Sequence, residues 1–172
     1  FVNWTMIPYM SDLWDSILGE ICPTLSQPES EQAWMFFDLA DPEKRHVKDI
    51  QRALKLIEKF QGHFRVILGL NEKETHEVAE ALGLPHPNRD SEGIGELASE
   101  IHKVLKVDTI VAHPVTCAFG THGGEVFRVQ GPYTAKPKIS TGAGDHFNAG
   151  FCLGKLLGFD TELALLTGVT TS

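Results

Sequence analysis

Apolar positions along the chain follow two rhythms, short runs and stripes at helical spacing. Residues 33–39 (Ala-Trp-Met-Phe-Phe-Asp-Leu) and 64–70 are short, largely apolar runs that fit buried strands, and 108–112 is a third short strand. Helical stripes lie between them. Leu13, Trp14, Ile17 and Leu18 follow Ser11, a candidate cap, and Pro23 then leads into a polar turn at Ser26–Ser30. Pro42 opens a pattern through Val47, Ile50, Leu54, Ile57 and Phe60 that closes at Gly62. Asn71 starts a helix bearing Val78, Ala79 and Leu82, which Gly83 and Pro85 end. Residues 91–105 place Ile94, Leu97, Ile101, Val104 and Leu105 on one side. Residues 116–129 read as a hairpin around His122-Gly123-Gly124, and 141–157 and 161–169 as two final helices. Alternating strands and helices predict a layered α/β fold with a mostly parallel sheet. In such sheets ligands bind beyond the carboxyl ends of the strands. The only linker-like stretch, 84–90 with its two prolines, is too short to separate domains.

The 172 residues suit one domain or a large piece of one. Apolar residues make up 42% and charged ones 22%, an ordinary globular balance. No apolar run approaches the roughly 18 residues of a spanning helix, so no membrane role is expected. Fifteen basic against 23 acidic residues give a net charge of −8, which argues against a nucleic-acid or anionic-membrane surface. It leaves room for a local anion site, since backbone amides bind phosphate without net positive charge. Cys22, Cys117 and Cys152 are widely separated and odd in number, as expected of buried thiols in a reducing compartment. The chain starts at Phe1 and stops just after an apolar helical pattern, so it reads as part of a longer protein.

Residues 136–151 (Lys-Pro-Lys-Ile-Ser-Thr-Gly-Ala-Gly-Asp-His-Phe-Asn-Ala-Gly-Phe) carry the chemistry. Gly142, Ala143 and Gly144 are small residues where a loop turns into a helix, so the backbone can approach a ligand. The first amides of that helix have no partner within it and can face an anion. Asp145 sits in the first turn. A carboxylate there repels phosphate, yet it makes sense as a base taking the proton of an attacking hydroxyl while the amides stabilise the transferring group. Taken alone, so short a glycine motif is explained more readily as a helix cap with a dipole-matched acid.

The longer pattern Thr-Gly-Ala-Gly-Asp-x-Phe-x-Ala-Gly-Phe resembles the C-terminal signature of the ribokinase-like, phosphofructokinase-B type carbohydrate kinases. Asn71-Glu72-Lys73-Glu74 is similar to that family's Asn-x-x-Glu element, and Phe37-Asp38-Leu-Ala-Asp41-Pro42 to its strand ending in Asp. The resemblance implies a layered αβα ribokinase-like fold. Residues 1–172 would be the C-terminal part of a single kinase domain, with the N-terminal half and final helices absent. It implies phosphoryl transfer from ATP to a hydroxyl of a sugar or sugar-like substrate. Asp145 would be the catalytic base, and the amides of Gly142, Ala143 and Gly144 the anion hole. Asn71 and Glu74 would organise Mg²⁺ indirectly, through water; read alone, those two residues fit a capped helix start. Further expectations are a cytoplasmic location, a homodimer as candidate assembly, and no turnover by this chain in isolation.

Two departures stand out. Ile139 replaces an Asp of the family pattern and offers no carboxylate, which puts activation by a monovalent cation in doubt. His113-Pro114 stands where the family has a Thr-x-Gly that contacts the nucleotide, so nucleotide preference stays open. These departures motivate a second reading, a non-catalytic nucleotide- or sugar-binding relative acting as sensor or scaffold, which would have no use for the base Asp145. His76-Glu77-Val-Ala-Glu80 misses the zinc-protease pattern by one histidine and reads as a solvated face. Phosphate-loop, dinucleotide and serine-hydrolase signatures are missing.

Overall fold

The computed structural model describes residues 1–25, 33–85, 91–138 and 141–172. The turn at Ser26–Ser30, most of the 84–90 stretch and Ile139 lie outside the described residues. Five strands form one sheet in the order β1 (Trp34–Asp38), β2 (Arg65–Asn71), β3 (Thr109–His113), β4 (Cys117–His122) and β5 (Glu125–Gln130). β1, β2 and β3 pair in parallel; β4 and β5 continue the sheet as an antiparallel hairpin. Four of the five strands therefore point the same way. The hairpin turns at Gly123 and Gly124, whose φ of 60° and 87° suit a two-residue turn with both central residues left-handed.

Helices cover both faces. α1 (Met10–Ser16), α2 (Val47–Phe60), α3 (Glu72–Ala81) and α4 (Ser91–Val104) belong to one side, and α5 (Ala143–Leu156) and α6 (Thr161–Thr171) to the other. The pleat of β2 divides its side chains between them. Val66, Leu68 and Leu70 enter the larger core, while Ile67 enters the smaller core with Phe147, Phe151 and Leu165. The apolar run from Val66 to Leu70 is thus a strand buried on both faces. The layered αβα arrangement expected from the sequence is present.

Two boundaries differ from the sequence reading. Ser11 is not the cap of α1; Tyr9 holds that position, without a side-chain bond. The Ser11 hydroxyl instead accepts the indole N–H of buried Trp4 at 2.9 Å, because a buried donor needs an acceptor. Nor does the helix begin at Pro42. A short 3₁₀ turn (Pro42–Lys44) is followed by extended Arg45 and His46 before α2 starts. That extension lets the Arg45 guanidinium lie 4.6 Å from the Trp4 ring and reach the carbonyls of Thr5 and Pro8.

Candidate active site

The parallel register sets Asp38 at the end of β1, Asn71 at the end of β2 and His113 at the end of β3, all on one edge of the sheet. The N-terminus of α5 meets the same edge. Gly142 caps it with a φ of 87°, a left-handed conformation that glycine adopts at no steric cost. The His146 ring donates from Nδ1 to the Gly142 carbonyl at 2.7 Å and fastens that turn. A cavity of about 520 Å³ lies between these parts. Asp38, Asp41, Asn71, Glu74, His113, Gly142, Gly144 and Asp145 face it. Asp145 is exposed, with its first-turn position as expected. Ala143 faces a second cavity of about 460 Å³, which runs over Pro114, Tyr133 and Phe147.

Asn71 and Glu74 form a capping box. The Asn71 side chain accepts the Glu74 N–H at 2.9 Å, and Glu74 Oε2 accepts the Asn71 N–H at 2.9 Å. Glu74 Oε1 also accepts the Asp41 N–H at 3.0 Å. Glu74 is only 4% exposed, and burial pushes its carboxyl above the usual range. The plain helix-start account of this pair is therefore realised, in a place that also faces the cavity. Each Glu74 oxygen accepts one of these bonds and retains a second lone pair. Asn71→Ala should cost about 1 kcal/mol of folding stability in the full-length protein, measured by denaturant unfolding. Asn71→Asp retains the cap and should stay within about 0.5 kcal/mol of wild type, so any rate it loses belongs to the cavity.

The loop after β1 brings in two acids to which no role was assigned from sequence. Ala40 and Asp41 both have a φ of 56°, a left-handed region that non-glycine residues enter at a cost of about 1–2 kcal/mol each. Two half-buried bonds offset that strain: Asp38 Oδ1 accepts the Ala40 N–H at 2.9 Å, and Glu74 accepts that of Asp41. Asn148, one turn beyond Asp145 on α5 and 8% exposed, donates to Asp38 Oδ2 at 3.0 Å. This bond joins α5 to the end of β1. Burial pushes the Asp38 carboxyl up, and the charge of Asp145 adds to the effect. The sequence signal for Asp38 and His113 was their place at strand ends; Asp41 shared the family-like stretch of Asp38 without a role, and Asn148 carried no signal.

The donors around the cavity are oxygens, the chemistry that suits Mg²⁺. Among the described residues no three His, Cys, Asp or Glu side chains stand close enough to hold an ion directly. The set fits an ion that keeps its waters and takes its remaining ligands from phosphate. His76, Glu77 and Glu80 lie elsewhere, along a separate hollow on α3, where Glu77 accepts the Glu43 N–H.

The family model for prokaryotic ketohexokinase matches residues 1–172, the whole chain. The chain belongs to the prokaryotic ketohexokinase family. A ketohexokinase of Haloferax volcanii is 26% identical over 165 residues, covering 96% of this chain and 42% of the relative. Among solved structures, 2-dehydro-3-deoxygluconokinase of Thermotoga maritima aligns with a TM-score of 0.68 at 16% identity, over 99% of this chain and 51% of that one. Ribokinase of the same organism aligns at 0.56 and 19% identity, over 78% and 39%. These likenesses show a ribokinase-like fold. The chain spans about 42% of its curated relative's length. No helix among the described residues is long and apolar enough to cross a membrane.

In this ketohexokinase-family chain His113 differs in kind from the acids beside it. Burial pulls its imidazole from the ordinary 6.5 down to about 4, so the ring is neutral near pH 7. Below pH 6.5 the unfolded chain takes up a proton that the folded chain refuses until about pH 4. Stability falls as pH drops through that window, by at most about 1.4 kcal/mol per pH unit. Replacing His113 by Phe removes the effect. Relative to wild type, the variant should gain stability between pH 6.5 and 4 and show a constant difference above pH 7. Asp38 and Glu74, pushed the opposite way, largely cancel in that difference. Parallel pH curves in denaturant unfolding would contradict the assignment.

Proposed function

We propose that the full-length protein transfers the γ-phosphoryl group of ATP to a hydroxyl of a ketohexose. The observation that carries this reading is the meeting of Asp145 and the α5 amides with Asp38, Asn71 and Glu74 in one cavity at the strand ends. The family model and the Haloferax relative support the kinase class and favour a ketohexose over other acceptors.

Asp145 accepts the proton of the sugar hydroxyl as its oxygen attacks the γ-phosphorus and the bond to the β–γ bridging oxygen breaks. The amides of Gly142, Ala143 and Gly144 stabilise the charge gathered on the transferring group. The second cavity receives the nucleoside. Asn71 and Glu74 hold Mg²⁺ through its waters, and the ion supplies neutralisation of phosphate charge. His146, fastening Gly142, keeps the amides aimed. The present chain supplies base, anion hole and part of the nucleotide site, and alone it does not turn over. A cytoplasmic site of action, where ATP is supplied, follows from the same reading.

The test is ADP release by the full-length protein with Mg²⁺ and ATP, against ketohexoses, aldohexoses, pentoses and nucleosides. A ketohexose should give the highest kcat/KM, with a phosphorylated sugar recovered as product. Release of ADP with another class would move the substrate. No release with any, from a folded protein that binds nucleotide, would favour the non-catalytic relative.

A further inference from the structure

We propose that the cavity between the end of α4 and the turn of the β4–β5 hairpin is a second binding site, for a phosphate group that is free or carried by a small molecule. It lies on the amino edge of the sheet, opposite the edge that carries Asp38, Asn71 and His113, and does not depend on the kinase reading.

The cavity measures about 550 Å³, larger than the two at the other edge. Basic groups gather on its walls although the chain's net charge is −8. His102 and Lys103 come from α4, Lys106 from the loop before β3, and His122 from the end of β4. Lys103 pairs with Glu100. Lys106 is exposed and pairs with no carboxylate side chain through its ammonium among the described residues; that ammonium gives one hydrogen to the Lys103 carbonyl and keeps two. Both imidazoles are anchored by one nitrogen. His102 Nε2 donates to the Val107 carbonyl at 2.9 Å, and His122 Nδ1 lies 3.3 Å from both the carbonyl and the Oδ1 of Asp108. His102 Nδ1 and His122 Nε2 make no hydrogen bond among the described residues.

The nearby acids are mostly committed. Arg65 Nε stands 3.3 Å from Asp108 Oδ2, and the Thr109 hydroxyl donates to Asp108 Oδ1 at 2.8 Å. Glu58 of α2 accepts the Lys106 N–H at 3.0 Å and does not line the cavity. Glu125, exposed on the hairpin, is the acid that remains. The hairpin also brings donors. With His122 paired to Glu125, the N–H groups of Gly123 and Gly124 have no strand partner. A Cβ on either glycine would meet nothing within 4 Å, so the turn is open to a ligand. Ammonium, ring nitrogens and turn amides are thus offered by three segments of chain. A phosphate monoester has three terminal oxygens to receive them, where a carboxylate has two. Imidazole takes up its second proton near pH 6.5, and a bound phosphate dianion favours that form. Between about pH 8 and 6.5 binding therefore draws in protons and strengthens as the pH falls.

The test is an NMR titration of the full-length protein labelled with ¹³C at histidine Cε1, the His102 and His122 signals being assigned from His102→Gln and His122→Gln. The probes are inorganic phosphate, glycerol 3-phosphate, glycerol and sodium chloride. Both signals should move saturably with the two phosphates and stay still with glycerol and chloride. Tighter binding of glycerol 3-phosphate makes an organic phosphate the ligand, and equal or weaker binding makes it free phosphate. Lys106→Gln, an exposed change that should leave folding intact, should weaken the binding about tenfold. Wild-type affinity should rise from about pH 8 to 6.5. Phosphate shifts confined to the other histidines, shifts matched by chloride at equal ionic strength, or an unchanged affinity in Lys106→Gln would overturn the proposal.

Discussion

Asp145→Asn in the full-length protein is expected to lower the rate of phosphoryl transfer by about 10²- to 10⁴-fold while nucleotide affinity holds or improves. Asn occupies the same volume and can still bond to the sugar hydroxyl, but it cannot take the proton. Loss of the carboxylate also removes a negative charge from the mouth of an anion hole, which is why binding should not suffer. A second consequence lies next door. Burial and the Asp145 charge together push the Asp38 carboxyl up, so the Asn variant should bring Asp38 down. Its bond to Asn148 ties that change to α5 itself. Steady-state kcat beside nucleotide titration separates the effects. A rate within about threefold of wild type would remove Asp145 from the role of base. A wild-type protein without turnover that binds nucleotide equally well with either residue would be the non-catalytic relative.

The features legible in the sequence were local ones. The run at 64–70 announced a strand buried on both faces, and the stripe from Val47 to Phe60 announced α2. The loop-to-helix switch at Gly142–Asp145 was equally plain, because the small residues and the first-turn acid are four consecutive positions. The missing part was assembled over distance. Asp41 meets Glu74 across 33 positions, and Asp38 meets Asn148 across 110. Both contacts depend on β1 lying beside β2, and hydrophobic periodicity carries no information on strand order. Local signals also misled where a tertiary demand outweighed them. Ser11 had the composition of a cap, but the buried Trp4 indole claimed its hydroxyl. Asn71 and Glu74 are the opposite case. A capping role and the proposed metal role compete for these two residues in the sequence, yet the geometry allows both, since a cap at the end of a parallel strand faces the ligand edge by construction.

Gly150→Val should destabilise the full-length protein by about 3 kcal/mol or more, the largest stability change expected of a single substitution here. Gly150 belongs to the same motif as Asp145, but it faces α6. A Cβ there would meet Thr171 Oγ1 at 2.1 Å, the Thr167 carbonyl at 2.8 Å and the Gly168 Cα at 3.1 Å. The last two are backbone atoms and cannot rotate away. Gly154 on α5 and Gly168 on α6 are equally closed: a Cβ on the first would stand 2.8 Å from the Ala164 Cα, and one on the second 2.8 Å from the Phe147 ring. The two helices thus meet through their glycines at near-backbone distance, and a larger residue must separate them. Separation would reach the site, because the Thr171 hydroxyl, which also reaches the Thr167 and Gly168 carbonyls of its own helix, lies 3.0 Å from the His146 carbonyl where the first turn of α5 meets the end of α6. Asp145 precedes His146 in that turn. Any folded fraction of the variant should therefore have a reduced kcat as well as a lower denaturation midpoint. Gly19→Ala is the control, since a Cβ there meets nothing within 4 Å, and it should stay within about 0.5 kcal/mol of wild type. An unchanged midpoint for Gly150→Val would mean that α5 and α6 are not packed as described. The loss expected instead makes the last glycine of the motif a packing requirement that serves Asp145, the proposed base, from a turn and a half away.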